Sequence, residues 1–249
     1  MCSKPNMMLM KTFIPTLLII LSISACKKDK ATQPLVQPDG GVYGEIFTGG
    51  EFHLGPVDWA QSKWTNSCGP YPKLIQQIEG NYLAGLELTH NGNGQLCDAC
   101  IKIETAMGKS LIARVITTGV TTKNSIDLSP EAYDLLNSGE YPRSMKWYVT
   151  KCPANGNNIY YQFQTGANVW WTSLWVRNTA LPLASVEVKS TNHTNWFKLS
   201  RGNDGTYTDA GGFGTGKFTL RITAIDGQVI EDNFDSLTPG GLVKSTGQF

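Results

Sequence analysis

Beyond residue 41 the chain alternates apolar and polar positions with a period of two, and Gly, Asn, Asp and Pro interrupt it every few residues. That period places alternate side chains on opposite faces of an extended strand. The pattern predicts strands over residues 42–48, 82–88, 101–105, 110–116 and 145–150. It predicts one helix between the last two. Ser129 stands at its cap, Pro130 in the first turn and Glu131 where the helix dipole favours a negative charge. Ala132, Tyr133, Leu135 and Leu136 continue it, and Asn137-Ser138-Gly139 ends it. After Pro153 the spacing shortens, with strands expected over 160–164, 170–178, 184–189, 196–199, 218–225 and 229–234. Short strands between frequent turns describe a β-sandwich. Residues 236–249 are expected to form a loose tail.

The segment 169–178, Val-Trp-Trp-Thr-Ser-Leu-Trp-Val-Arg-Asn, places three tryptophans in six positions. Leu174 and Val176 have core parity. Trp171, Ser173 and Trp175 therefore share the outer face. Trp171 and Trp175 lie about 13 Å apart at about 3.3 Å per residue, a separation that suits sugar rings of one chain. Trp170 has core parity.

The first 40 residues stand apart. Lys4 and Lys11 precede an apolar run from 13 to 23, too short for a membrane span of about 20 residues. Ile23-Ser24-Ala25-Cys26 resembles a bacterial lipobox. Residues 1–25 are thus expected to be a lipoprotein signal peptide, Cys26 the lipidated residue and 26–40 a tether. The chain is expected to be exported and lipid-anchored, facing the cell surface or outer membrane. Lys plus Arg is 21 and Asp plus Glu is 20, so nothing electrostatic favours nucleic acid, and the membrane is met only through the anchor. No cofactor and no metal are expected, and the protein is read as a monomer.

Cys68, Cys97, Cys100 and Cys152 remain beyond the anchor, an even number in an exported chain. A bridge from Cys97 to Cys100 would close a very tight loop. Cys68 and Cys152 are each expected to bond one of that pair, in either combination. Cys97-Asp98-Ala99-Cys100 alternatively reads as a redox or zinc motif, but His53, His90 and His193 are scattered.

Several stretches together resemble the expansins, microbial expansin-like proteins most closely. Cys97-Asp98-Ala99-Cys100-Ile101 resembles a Cys-Gly-Ala-Cys-Ile segment of the first domain. Residues 126–133, Ile-Asp-Leu-Ser-Pro-Glu-Ala-Tyr, resemble its Asp-Leu-Ser-Pro-x-Ala-Phe motif. Residues 145–149 resemble the strand that closes that domain. Residues 170–178, 218–223 and Asp226-Gly227 resemble the aromatic strand and last hairpin of the second. The resemblance runs in order over about residues 44 to 234. It implies an all-β chain: a six-stranded double-psi β-barrel over 41–152, then an immunoglobulin-like, carbohydrate-binding β-sandwich over 153–235.

It also implies roles. Asp127 corresponds to the groove aspartate, which in related barrel glycosidases resembles the general acid. Otherwise Asp127 only orders the helix entry. Thr48 corresponds to a groove threonine. Trp170 and Trp171 are both part of an aromatic platform, and Tyr207 is the available third aromatic or else the core-facing partner, in which case Trp175, outward by parity, substitutes for it. The departure lies at 115–121, where family members carry an Asp and a Tyr. This chain has Thr117 at the nearest position. A hydroxyl does not serve as a general base near neutral pH. Glu45, Glu51, Asp58 and Asp98 are the remaining acids to place. The expected function is non-hydrolytic loosening of an insoluble polysaccharide such as cellulose, another β-glucan or peptidoglycan. The alternatives are a glycoside hydrolase or peptidoglycan lytic transglycosylase using Asp127 as acid, and an adhesin that only binds glycan.

Overall fold

Six strands close into a barrel in the computed structural model, which describes residues 41–55, 66–71, 82–120, 122–153 and 156–249. The signal segment, Cys26, the tether and Asp58 lie outside the described residues. In chain order the barrel strands are β1 (Tyr43–Leu54), β2 (Leu83–Glu87), β3 (Cys100–Thr105), β4 (Ser110–Val120), β5 (Ile126–Leu128) and β6 (Ser144–Thr150). Their order around the barrel is β1-β5-β2-β4-β3-β6. The pairs β1–β5 and β2–β4 are parallel, and the other four are antiparallel. A single helical turn α1 (Leu88–Asn91) follows β2, and α2 (Pro130–Leu136) follows β5.

Strand parity decides what the barrel holds. Phe52, Ala84, Leu86, Ile101, Ile103, Val115, Ile126, Leu128 and Trp147 fill its interior. Residues one position away point outward, among them His53, Gly85 and Asp127. The helix begins at Pro130 as expected, but Ser129 does not cap it with its side chain. Its hydroxyl accepts the Leu83 N–H of β2 at 3.2 Å, so it ties the helix entry to the sheet.

The remaining strands form two sheets. One has four strands in the order β10-β9-β13-β14: β9 (Leu183–Lys189), β10 (Phe197–Lys198), β13 (Phe218–Ala224) and β14 (Val229–Phe234). The other has the order β11-β12-β8-β7-β15: β7 (Tyr160–Phe163), β8 (Thr172–Arg177), β11 (Ser200–Arg201), β12 (Tyr207–Asp209) and β15 (Leu242–Lys244). Tyr161, Phe163, Leu174, Val176, Val186, Leu220, Ile222 and Phe234 pack between them.

The tail expected over 236–249 belongs to this sandwich. β15 pairs with β7, and Leu237, Val243 and Phe249 pack on the core. The fixing group is Asp232. Its carboxylate accepts from Tyr161 Oη at 2.7 Å, Ser245 Oγ at 2.6 Å, and Thr246 N and Oγ1 at 2.9 and 2.7 Å. Polarity hid this segment, because its ordering comes from hydrogen bonds to a distant acid rather than from an apolar period.

Barrel and sandwich belong to one compact unit. Between them Arg177 Nη1 meets Asp98 Oδ2 at 2.6 Å, with side chains 0% and 3% exposed. Tyr71 Oη donates to Asp98 Oδ1 at 2.7 Å, and the guanidinium lies 4.1 Å over the Tyr71 ring. Arg177 Nε donates to Gln162 Oε1 and Nη2 to the Pro70 carbonyl. Burial opposes the charge on Arg177, but Asp98 outweighs it and holds the guanidinium protonated. Removing one partner of such a pair costs about 3–5 kcal/mol, because the other charge stays buried.

Both disulfides lie beside this junction, Cys68–Cys97 with Cα atoms 5.5 Å apart and Cys100–Cys152 at 5.1 Å. Each thus joins one of the two expected outer cysteines to one of the close pair. The Cys152 N–H crosses to the Ala180 carbonyl at 2.7 Å. A Cβ at Gly94 would lie 2.4 Å from the Gly202 carbonyl oxygen, so a glycine lets the two backbones approach.

The Asp232 network has a pH signature. Burial alone would raise its pKa, but the hydrogen bonds from Ser245, Thr246 and Tyr161 outweigh it and leave the carboxyl below its ordinary range. A depressed folded pKa contributes stability that is present above the unfolded value of about 3.9 and is lost as pH falls through the folded one. Asp232→Asn should destabilise the sandwich by about 1–3 kcal/mol at pH 7. In denaturant titrations the gap between variant and wild type should close as pH drops below about 4.

Candidate functional site

The register of four neighbouring barrel strands places one outward residue of each in a row. His53 of β1 pairs with Asp127 of β5, Asp127 with Gly85 of β2, and Gly85 with Thr117 of β4. A Cβ on Gly85 would lie 2.9 Å from Thr117 Cγ2 and 3.8 Å from Asp127 Cβ. The glycine therefore keeps the floor open between the acid and the threonine. Asp127 is half-buried. Desolvation raises its pKa above the usual carboxylate range, and His53 pulls it partly back.

A second tier runs alongside. Asn124 Nδ2 donates to the Thr48 carbonyl at 2.7 Å, so its Oδ1 faces His90 Nε2 at 2.9 Å, and that nitrogen carries the proton. His90 Nε2 lies 3.6 Å from Glu87 Oε2. The Thr89 hydroxyl also donates to Glu87. Phe47 stacks on Trp147 at 4.3 Å and meets the edge of His90 at 4.4 Å, so apolar rings hold the imidazole in place.

Glu51 and Glu87 lie two residues from His53 and Gly85 on the same outward parity, one on each side of β5. Glu51 Oε2 accepts the Arg143 N–H at 3.2 Å. Glu87 escaped the sequence reading because the alternation of β2 is weak. Its only signal was its place two residues after Gly85, where a Cβ would meet Thr117. Of the other acids, Asp98 is spent on Arg177.

Thr117 accepts the Ser67 N–H at 3.2 Å and lies within 3.2 Å of Ser67 Oγ. Ser67 adjoins Cys68 and leads to Pro70 and Tyr71, which cover Arg177. The segment 66–71 therefore links the barrel row to strand β8.

On β8 the tryptophans separate differently from parity. Trp170 is 78% exposed and Trp171 half-buried, whereas Trp175 is only 5% exposed. Trp170 and Trp171 precede the strand, in a turn closed by an Asn168–Trp171 bridge, and the Asn168 side chain accepts both indole residues' backbone N–H groups. The turn releases Trp170 from its core parity. Trp175 lies outside the sandwich core cluster, but the Asp204 loop and Arg177 cover it. Its Nε1 donates to the Asp204 carbonyl at 3.0 Å, and Arg177 lies 5.1 Å over its ring. Tyr207 is also removed from the surface. It is buried in the sandwich core with Oη accepting from Arg201 Nη2 at 2.7 Å. Thr48 is exposed on β1 opposite Lys146.

No protein-family model matches the chain. It is 23% identical over 197 residues to Expansin-YoaJ of Bacillus subtilis, covering 78% of this chain and 83% of that protein. It superposes on the crystal structure of Clavibacter michiganensis expansin with a TM-score of 0.67 at 16% identity, over 82% of this chain and 98% of that one. A mutant of the same expansin, crystallised in complex with cellohexaose, gives 0.68 at 16% identity and the same coverage. The chain is expansin-like. Its closed barrel and two further sheets have the architecture of those structures.

In this expansin-like barrel Asp127 has Thr117 across Gly85 and a glutamate on each flanking strand. Among the described residues no three His, Cys, Asp or Glu side chains gather as a metal-ligand set. The Cys97 and Cys100 sulfurs are both spent in disulfides.

A raised folded pKa contributes stability below the unfolded value that is lost as pH rises through the folded one, so ionised Asp127 is a cost near neutrality. NMR titration should find the Asp127 carboxyl above the ordinary Asp range, and His53→Ala should move it higher still. Asp127→Asn should leave thermal stability at pH 7 unchanged or raised.

Proposed function

We propose that this chain is an exported protein that binds cellulose or a related β-glucan and loosens contacts between polymer chains without cutting them. The observation that carries the reading is Trp170, 78% exposed on a hydrogen-bonded turn beside Trp171. Leaving such a ring in water forfeits about 2–3 kcal/mol of burial, and a flat apolar face is what a pyranose ring stacks on. The fold match to an expansin crystallised with cellohexaose supports the same class of ligand. Trp170 and Trp171 form the platform. His53, Asp127 and Thr48 supply polar contacts along the barrel groove, with Thr117 at its far end. Loosening then needs no covalent step: stacking and hydrogen bonds replace those between polymer chains. Two disulfides support an oxidising compartment, and lipidation at Cys26 would hold the protein on the cell envelope.

A second reading is favoured by one observation. Asp127, with a raised pKa, has Glu87 and Glu51 on the same outward face of the two strands that flank it, and hydrolysis by inversion needs such a second carboxylate. Glu87 is tied to Thr89 and His90, and Glu51 to Arg143. Both are thereby held away from service as a free base.

Trp170→Ala should weaken adsorption to phosphoric-acid-swollen cellulose by about tenfold, a loss of about 1.4 kcal/mol. Wild-type protein incubated with the same cellulose should release no soluble reducing sugar. Soluble sugar that disappears in Asp127→Asn and Glu87→Gln would establish the hydrolytic reading instead.

A further inference from the structure

We propose that Tyr141 forms a sugar-stacking subsite at the β1 end of the barrel groove, taking one pyranose ring of the glycan chain. The inference rests on the glycan-binding reading above and extends it to a residue that neither strand pattern nor motif pointed to. Tyr141 is 84% exposed, more than Trp170 at 78%. These are the two most exposed large apolar side chains among the described residues.

Its place in the fold follows from register. β1 pairs with β6 at Glu51↔Ser144. The Phe52 N–H donates to the Arg143 carbonyl at 3.2 Å and carries the pairing one residue further. Beyond Arg143 the chain leaves the ladder, and Pro142 and Tyr141 lie in the bend that precedes it. His53 is the β1 member of the row that continues through Asp127, Gly85 and Thr117. Tyr141 therefore lies two residues from the last contact between β6 and β1, beside the β1 end of the row and away from the Ser67 segment.

The loop that presents the ring is held on both sides. The Arg143 N–H donates to Glu51 Oε2, and the Arg143 guanidinium lies 5.4 Å over the Tyr133 ring. The Ser138 N–H donates to Glu140 Oε2 at 2.7 Å and the Gly139 N–H to Asn137 Oδ1 at 3.1 Å. Pro142 restricts the backbone next to the ring. An aromatic side chain on a braced loop binds with little ordering cost. Its faces suit the C–H surface of a pyranose, while His53 and Asp127 of the row suit the hydroxyls at the sugar's edge. At 84% exposure the ring has no packing role to lose.

The test combines hydroxyl-radical footprinting with adsorption to phosphoric-acid-swollen cellulose, using the chain from residue 27 onward. Cellulose should protect Tyr141 together with Trp170. Tyr141→Ala should weaken adsorption by about two- to tenfold at unchanged melting temperature, and Tyr141→Phe should keep wild-type affinity. If Trp170 is protected while Tyr141 reacts as in the free protein, and Tyr141→Ala adsorbs like wild type, the subsite is overturned and the glycan-binding reading stands. If wild-type protein does not adsorb and neither ring is protected, both are overturned.

Discussion

The buried pair of Asp98 and Arg177 is the constraint on which the arrangement of this molecule depends. A barrel and a sandwich joined by a short connection at Cys152 have many ways to pack. A buried charge has few, because every donor on it must be met. Arg177 is met by Asp98 on the barrel, Gln162 on its own sheet, and Pro70 and Tyr71 on the intervening segment. Replacing such a pair with apolar residues often costs little stability. Its contribution here is to geometry: one orientation of β8 satisfies all these partners together.

That orientation has consequences on both sides. The segment 66–71 closes over Arg177 through Tyr71 and reaches Thr117 through Ser67, with Cys68–Cys97 bracing its middle. Trp175 and Ser173 are covered on the face they would otherwise present. Trp170 and Trp171, beyond the covered stretch, remain at the surface. The proposed glycan surface is therefore divided between a polar row on the barrel and an apolar pair on the sandwich, with the disulfide-bonded segment 66–71 between them. Such a division suits a polymer, whose successive rings offer C–H faces and hydroxyl edges in turn.

Much of this was legible in the residues. Alternation located most of the strands, since a half-buried sheet writes its faces into the chain. The helix start at Ser129-Pro130 placed Asp127 at a strand end, where β5 carries it, and the even count of cysteines pointed to two bridges. Tertiary covering was not legible. Parity assigned Trp175 to an outer face, yet nothing local says that the Asp204 loop and Arg177 close over that face. Trp170 went the other way, because the side chain of Asn168 builds a turn where a continuous strand was expected. Tyr207 has the composition of a platform residue and the register of a core one. The 242–246 segment looked loose because its partner, Asp232, carries no apolar signal. Glu87 and Tyr141 acquire meaning only through strand order, which brings β2 beside β5 and β6 beside β1.

The central claim is that the Asp98–Arg177 pair makes groove and platform act as one surface. The most direct measurement is the cellulose adsorption isotherm of a variant in which both charges are removed together, Asp98→Leu with Arg177→Met, after circular dichroism has shown the β-structure intact. Its affinity should fall by at least about tenfold, while the Trp170 contribution to what remains is retained. An isotherm that superimposes on the wild type would contradict the account, because the two parts would then bind without a fixed relation between them.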